Sequence, residues 1–466
     1  MHDRIKFCHA VALIVVYLYY FPPIIRAKYG LAHTPFRGFL FMLPDLPILR
    51  ARTQTKLTES APVEHVCPVD LPEGTRCFRG QDSLGAHYMI VMPAQWSGVL
   101  VMHAHGGPPT EIKATRVDED IKRWSVVVQQ GHAWAASVFC CGGFAVRSAV
   151  EDTERLRRIF CEFIGSPRLT LLHGQSWGGL VAAKAAEVYP ESWDGLLLTS
   201  SAVGGPLAYD FRLDLRVIYQ YLCNNHPRPD EPEYPLSIGL PQENNSLTLD
   251  ELTSRVEESL GISKPAEQRS PEQAHKLKII IDVLKIPENA ITDQLRWGTW
   301  ALRDVVEKHG GSFLCNDQVQ YTGSDDDATL NASVLRYRAD PAAYARYRAD
   351  SDYSGRIPVP VMTVHGINDQ TCLVEVHDTL RSRMRTMGYE QNLVQTFVDS
   401  DSHSYLGDEV YSALIKVLLD WIDSGTRPTP HQISDCCREL NGNIAASQKF
   451  RPDFIPGPLA SRIHSR

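Results

Sequence analysis

The chain has 466 residues, of which 43% are hydrophobic and 22% charged, and its formal net charge is −8. This hydrophobic content is enough for a sizeable core, and the length fits one large α/β unit or two to three average domains. The composition predicts no nucleic-acid-binding surface, which would need a basic patch, and eleven cysteines are too few for a disulfide scaffold.

The N-terminal segment, residues 1–28, is dominated by an apolar run. Residues 7–21 are almost entirely apolar, and Ile24 and Ile25 extend the run to 7–25, a length between those of a signal-peptide core and a spanning helix. No clear A-x-A cleavage site follows. We therefore predict an uncleaved membrane anchor in the secretory pathway, with a cleaved signal and a secreted protein as the alternative. Basic residues on both flanks leave its orientation open.

Residues 29–84 are rich in Pro, Arg and Thr and are predicted to be a linker that leads into the domain. Cys67 and Cys77 lie ten residues apart and would form a disulfide in a lumenal or extracellular protein. Asn244 and Asn331 begin N-x-S triplets and would be glycosylation sites in that compartment. No cysteine pair has zinc-ribbon spacing, so the sequence predicts no metal site.

Strand patterns alternate with helix patterns in residues 85–200 and 359–424. The predicted strands cover residues 87–93, 98–104, 131–139, 169–172, 194–200, 359–365 and 392–398, and the predicted helices cover 117–130, 149–164, 180–189 and 409–422. This alternation predicts an α/β fold with a mainly parallel sheet and helices on both faces.

A serine lies at the sharpest predicted turn of this core. The strand at 169–172 runs into Gly174-Gln-Ser-Trp-Gly178 and then into an apolar helix, which matches the G-x-S-x-G nucleophile elbow. Such a turn strains the serine backbone, and side chains at 174 and 178 would collide with neighbouring backbone. We predict that Ser176 is a nucleophile; the alternative is a serine in an ordinary glycine-rich turn.

Residues 201–358 interrupt the strand pattern and are predicted to be a helical insertion, or lid, over the active site. Helical spacing covers residues 213–222, 249–260, 272–284, 291–309 and 342–348. The insertion carries the aromatic residues Tyr209, Phe211, Tyr219, Tyr221, Trp297, Trp300 and Phe313. These side chains would form either an apolar substrate pocket or the insertion's own core. The tail, residues 425–466, is polar and Pro-rich and is predicted to be mostly irregular.

A nucleophilic serine needs a base within hydrogen-bond reach, and in chains with this elbow the base follows the acid. The late histidines are His365, His377, His403 and His431. His377 falls in a predicted helix and His431 in the tail. His403 lies in a polar loop between the last strand and the last helix, which predicts that His403 is the base rather than a solvated loop histidine.

The acid is predicted to follow the preceding strand. Asp369 lies in the loop after residues 359–365, at the carboxyl end of a buried strand, where open α/β sheets place their sites. Asp399 and Asp401 are rivals, but each would have to fold back onto its neighbour His403. The sequence favours Asp369, with an Asx-turn or helix cap as its alternative role.

An oxyanion hole needs backbone N–H donors aimed at the developing negative charge. One predicted donor is Trp177, which follows the nucleophile. The other is Gly107, or failing that Gly106, in the loop after the strand at 98–104, where glycine permits a close approach. Both glycines would otherwise only shape a turn before Pro108.

Together these motifs resemble the α/β-hydrolase superfamily, and its serine esterases in particular. H-G-G at 105–107, G-Q-S-W-G at 174–178, H-G-x-x-D at 365–369 and the loop His403 fall in the family's order. For residues 85–424 the resemblance implies the α/β-hydrolase fold, a Ser-His-Asp hydrolytic mechanism and no cofactor.

The leading hypothesis is a serine hydrolase that cleaves a carboxylic ester of a hydrophobic small molecule through an acyl-enzyme. A lactone or thioester requires the same chemistry. A peptidase or amidase uses the same triad, and a non-catalytic interaction module shares the fold, so the fold alone does not decide between them. The expected partners are a small-molecule ester and a membrane that contacts residues 7–25.

Overall fold

A mixed sheet organises the protein in a computed structural model that describes residues 58–108, 111–232, 247–441 and 449–466. The strands of these residues are β1 (Val63–His65), β2 (Arg76–Gln81), β3 (His87–Met92), β4 (Val99–Ala104), β5 (Ala133–Ser137), β6 (Leu169–Gln175), β7 (Gly195–Thr199), β8 (Val361–Gly366) and β9 (Leu393–Val398). They lie in the order β1-β2-β3-β5-β4-β6-β7-β8-β9. Pairing is antiparallel from β1 through β3 to β5 and parallel from β5 to β9, which confirms the predicted mainly parallel sheet.

Helices cover both faces of this sheet. The helices of the described residues are α1 (Arg116–Gln129), α2 (Val146–Phe163), α3 (Trp177–Val188), α4 (Pro206–Cys223), α5 (Leu249–Leu260), α6 (Pro271–Leu284), α7 (Ile291–Arg296), α8 (Leu302–Lys308), α9 (Asp327–Ser333), α10 (Pro341–Asp350), α11 (Val376–Thr386), α12 (Asp408–Ser424) and α13 (Pro430–Asn441). Helices α1 and α12 pack together over one face, and α2 and α3 pack together over the other.

In the central strand β4, apolar side chains are directed to both faces of the sheet. Val99 and Val101 join the core under α1 and α12, whereas Leu100 and Met102 alternate with them toward the opposite face. All six residues of β4 are buried, as expected of a strand covered on both sides. The chain therefore has the predicted α/β fold, with a mainly parallel sheet and helices on both faces.

The segment between β7 and β8 contains helices α4 to α10, so its predicted helical character is confirmed. The structure differs in two places. The helix expected over 291–309 is broken by a π-helical turn, Trp297–Ala301, which brings Gly298 close to the backbone of Arg212 on α4. Helix α9 was not predicted, because its seven residues include a single buried side chain, Leu330, and show no period.

The prediction that residues 29–84 form a linker is wrong for the described residues 58–84, because β1 and β2 extend the sheet there. Each residue of β2 pairs with one of β3, and Cys77 and Phe78 are buried. Only two of the six residues of β2 are buried, too few to produce a clear strand pattern. The Cys67 and Cys77 thiols form a disulfide, as the sequence suggested.

The tail is also more ordered than predicted. Helix α13 packs against α12 through Ile433 and Cys437. Residues 449–466, which we call the C-terminal strap, start by pairing with the end of β9: Arg451 N donates to Phe397 O, and Asp399 N donates to Lys449 O, both at 2.8 Å. The strap has only isolated apolar residues, so its order depends on contacts that the sequence pattern does not show.

Some predictions concern residues that the structure does not describe. The N-terminal anchor, 1–28, and the first glycosylation triplet, 244–246, both lie outside the described residues. Within the described ranges, none of the helices has the length and apolar character that crossing a membrane requires. At the second triplet, the Asn331 amide already donates to the carbonyl oxygens of Tyr321 and Asp327 at 2.7 Å, and a glycan on that nitrogen would disrupt these bonds.

Candidate active site

Ser176 lies at the turn between β6 and α3. Its φ is 54°, a left-handed value that is rare outside glycine. Close packing explains the two neighbouring glycines: a Cβ at Gly178 would lie 2.0 Å from the Ala104 carbonyl oxygen, and a Cβ at Gly174 would lie 2.5 Å from Gly178 O. The elbow therefore packs directly against the end of β4, and Ser176 is only 8% exposed.

The three predicted side chains lie in one hydrogen-bonded row. His403 Nε2 is 2.8 Å from Ser176 Oγ, and His403 Nδ1 is 2.7 Å from Asp369 Oδ2. The Asp369 carboxylate is fully buried, and the His403 side chain is 19% exposed. The row therefore joins a fully buried carboxylate to a hydroxyl that is also largely buried, through an imidazole that is partly exposed.

Asp369 is held in place by its own loop. Its Oδ1 accepts hydrogen bonds from the backbone N–H groups of Thr371 and Cys372, both at 2.9 Å. Oδ2 is thereby directed to His403. The insertion supports the same loop, because Gln294 Nε2 donates to the carbonyl oxygens of Gln370 at 2.6 Å and of Thr371 at 2.8 Å.

Two further histidines, unassigned by the sequence analysis, lie behind the acid. His365 Nε2 is 2.7 Å from Cys372 O and 3.5 Å from Asp369 Oδ2, so two acceptors face this nitrogen and it carries the proton. His377 Nε2 then donates to His365 Nδ1 at 2.9 Å. Burial lowers the pKa of both imidazoles, most strongly for His377, which favours their neutral forms.

The rival acids lie elsewhere. Asp399 pairs with Arg451 of the C-terminal strap at 2.5 Å, and Asp401 is exposed. His431, the remaining late histidine, is exposed and lies 3.6 Å from Asp453. These contacts leave Asp369 as the carboxylate within hydrogen-bond distance of His403.

The predicted oxyanion loop lies against the elbow. Gly107 has a φ of 67°, and a Cβ at Gly106 would lie 2.3 Å from the Gln175 side chain. Trp177 is the first residue of α3, where backbone N–H groups have no partner within the helix. The loop that carries Gly106 therefore lies against the residue before Ser176, and the role of Trp177, Gly107 and Gly106 as oxyanion donors stays a prediction.

Buried aromatic side chains pack in a row beside this loop. His105 stacks on Phe139 at 4.4 Å, Phe139 packs on Trp177 at 6.1 Å, and Phe144 joins Trp177 to Tyr209 of the insertion. Phe139 has a φ of 64°, a strained conformation of the kind that clusters at functional sites. Of the insertion's aromatic residues, Tyr209 continues this row, whereas Tyr219 is buried away from solvent and Tyr221 is exposed.

The residues that the structure describes do not include a group of side chains that resembles a metal centre. Across the described residues, no three or more His, Cys, Asp or Glu side chains are grouped as metal ligands would be. The absence of a cofactor stays a prediction.

No family model and no curated protein matches the sequence. Among solved structures, the chain is similar to an esterase from Aspergillus oryzae, with 13% identity, a TM-score of 0.41, and coverage of 76% of this chain and 80% of that one. It is also similar to Candida antarctica lipase A in its closed state, with 13% identity, a TM-score of 0.41, and coverage of 87% and 94%. Feruloyl esterase B from Aspergillus oryzae aligns with 11% identity, a TM-score of 0.40, and coverage of 81% and 90%. These three proteins are hydrolases by name, and likeness at this level carries no inference about substrate.

Proposed function

We propose that the protein is a serine hydrolase that cleaves a carboxylic ester, lactone or thioester of a hydrophobic small molecule. The observation that carries the proposal is His403, which lies within hydrogen-bond distance of Ser176 on one side and of Asp369 on the other. A base between a hydroxyl and a buried carboxylate is the arrangement that activates a serine nucleophile.

In the proposed reaction, Ser176 Oγ attacks the substrate carbonyl while His403 Nε2 accepts its proton. The N–H groups of Trp177 and Gly107, or Gly106, stabilise the oxyanion. Protonated His403 then gives its proton to the leaving group, and an acyl group remains on Ser176. Water, deprotonated by His403, releases this acyl group. Throughout the reaction, Asp369 accepts a hydrogen bond from Nδ1–H of His403 and stabilises the imidazolium.

The surroundings favour an apolar substrate. The aromatic row from Phe139 to Tyr209 passes through Trp177, the residue that follows the nucleophile. An amide substrate would use the same groups, so peptidase activity is the first alternative. A non-catalytic module would have no use for the hydrogen-bonded row.

The test is labelling with a fluorophosphonate, followed by a panel of chromogenic esters graded by acyl length. Ser176→Ala should stay folded and lose labelling and turnover, a loss on the order of a million-fold in kcat for a comparable serine nucleophile. Ser125→Ala, a partly buried serine on α1, is the matched control and should behave as wild type. Retention of most activity by Ser176→Ala contradicts the mechanism, and cleavage of amides in preference to esters favours the peptidase alternative.

We also propose that the protein enters the secretory pathway and is held on a membrane by residues 7–25. The Cys67–Cys77 disulfide supports the first part, because disulfides persist in oxidising compartments and are rare in the cytosol.

A further inference from the structure

The Gln175 side chain contacts two loops of the candidate site, and its backbone leads into Ser176. It is the last residue of β6 and directly precedes Ser176. Its side chain is almost completely buried, at 2% exposure. A polar side chain in such a position needs hydrogen-bond partners, and Gln175 has one in the loop that carries His403.

The first contact is with the loop that carries the base. Gln175 Nε2 donates to Ser404 Oγ at 2.7 Å. Ser404 directly follows His403 and has a φ of 79°, a conformation that residues other than glycine rarely adopt. Such a strained turn persists only where surrounding contacts hold it. From the other side, the Tyr411 hydroxyl donates to Ser404 O at 3.3 Å and accepts from Leu406 N at 2.7 Å.

The second contact is with the predicted oxyanion loop. The Gln175 carboxamide occupies the space beside Gly106, where a Cβ would lie 2.3 Å from Gln175 Oε1 and 2.9 Å from Nε2. One side chain thus contacts the residue after the base and a residue of the oxyanion loop, while its own backbone leads into the nucleophile.

We propose that Gln175 is a positioning residue that sets the His403 loop and the Gly106–Gly107 loop in their places relative to Ser176. The proposal rests on the proposed hydrolase function, because positioning matters for turnover only if these groups react. Among the described residues, no hydrogen bond joins the Gln175 side chain to the Ser176 hydroxyl or to the His403 imidazole. Its effect passes through the Ser404 hydroxyl and the backbone at Gly106.

The experiment is a double-mutant cycle with Gln175→Met and Ser404→Ala, assayed on the best ester of the panel. Methionine keeps the length of the side chain and loses its donor. Each single variant should lose about 10- to 100-fold in kcat, the range that a misplaced catalytic group costs, with KM within about 2-fold. The double variant should lose no more than the worse single variant, because both changes break one contact.

Gln130→Met is the matched control. The Gln130 amide also joins two elements, by donating to Ser412 O at 3.2 Å, but it lies at the C-terminal end of α1. It should leave kcat unchanged. The proposal is overturned if Gln130→Met loses as much kcat as Gln175→Met, or if the losses of the two single variants add up in the double variant. Either result indicates a general packing effect.

A crystal structure of Gln175→Met decides the matter without turnover. His403 Nε2 should move beyond hydrogen-bond distance from Ser176 Oγ, compared with 2.8 Å in the wild type. If that contact is retained, the positioning role is wrong even when esters are cleaved. If the wild-type protein neither reacts with the fluorophosphonate nor cleaves any ester, the proposed function fails, and the variant's structure still tests the positioning role.

Discussion

At the scale of single residues, the acid of the site shows how neighbouring atoms restrict one side chain. Both backbone N–H groups that face Asp369 point at Oδ1, so Oδ2 is the atom that faces His403. Because Oδ2 accepts a hydrogen bond from His403, the imidazole keeps its proton on Nδ1. Nε2 is then free to accept a proton from Ser176.

Asp369→Asn should fold normally and lose about ten-thousand-fold in kcat, as the equivalent change does in a serine protease. The amide oxygen would keep the two backbone hydrogen bonds, so the amide NH₂ would face Nδ1 and force the proton onto Nε2. That tautomer cannot accept a proton from Ser176. Steady-state kinetics on the preferred ester measure the loss.

Asp399→Asn and Asp401→Asn are the matched controls, because these carboxylates lie within four residues of the base and contact other groups or solvent. Both should stay within about 10-fold of wild type, since neither removes a contact to His403. A larger loss in either control than in Asp369→Asn would show that the acid has been assigned to the wrong residue.

At the scale of elements, the C-terminal strap joins the core to the insertion. It pairs with β9, contacts Glu375, the residue before α11, through an ion pair with Arg462 at 2.7 Å, and ends at α4. There Arg466 binds the fully buried Asp214 at 2.9 Å and lies 3.4 Å from Asp210. The strap therefore supplies the positive charge that these two buried carboxylates need.

Arg466→Met should destabilise the protein by about 3 kcal/mol, because removing one partner of a buried ion pair leaves uncompensated charge. Denaturant unfolding, monitored by circular dichroism, gives the free energy of unfolding. Arg438→Met is the control: its pair with Asp435 is more than half exposed, and such pairs contribute about 0 to 1 kcal/mol. Equal effects of the two changes would show that the strap does not stabilise the insertion.

At the scale of the whole molecule, buried histidines make stability depend on pH. Burial lowers the pKa of His105 and of His132 to about 4, and lowers it for His103, His173, His226, His365 and His377 as well. In the unfolded chain these imidazoles titrate near pH 6.5. The unfolded state therefore binds more protons between about pH 6.5 and 4, and stability falls as the pH falls through that range.

We expect the free energy of unfolding to decline from about pH 6.5 to pH 4, with at most about 1.4 kcal/mol per pH unit from each of His105 and His132. Asp210 acts in the opposite direction, because burial raises its pKa to about 6. His132→Gln removes one titrating group that lies outside the candidate site. The free energy of unfolding of this variant should therefore depend measurably less steeply on pH. Denaturant titrations at several pH values provide the test, and an unchanged slope in His132→Gln would contradict this origin of the acid sensitivity.

The location of the whole protein is a separate prediction. On the proposal that residues 7–25 are a membrane anchor, the full chain should stay in the membrane fraction after carbonate extraction. A variant that lacks residues 1–28 should become extractable. Release of the full chain, with a new N-terminus near Lys28, would favour the cleaved signal.

Much of the fold could be predicted because its signals are local. Buried strands such as β4 and β6 begin with mostly apolar residues, and the glycines around Ser176 mark a turn that only small residues permit. Chain order then assigned Asp369 and His403 to the loops after β8 and β9. The three side chains were named from sequence alone, and the structure brings them within hydrogen-bond distance.

Other features depended on tertiary structure, because each joins residues far apart in the chain. Gln175 meets Ser404 across 229 positions, and Arg466 meets Asp214 across 252. Neither contact leaves a period or a motif in the sequence. Strand β2 and the C-terminal strap likewise carry too few apolar residues for a pattern, and they are ordered by hydrogen bonds to strands that the sequence had already specified. Local chemistry thus determined the core elements and the reactive side chains, whereas packing between distant segments decided how those side chains are held.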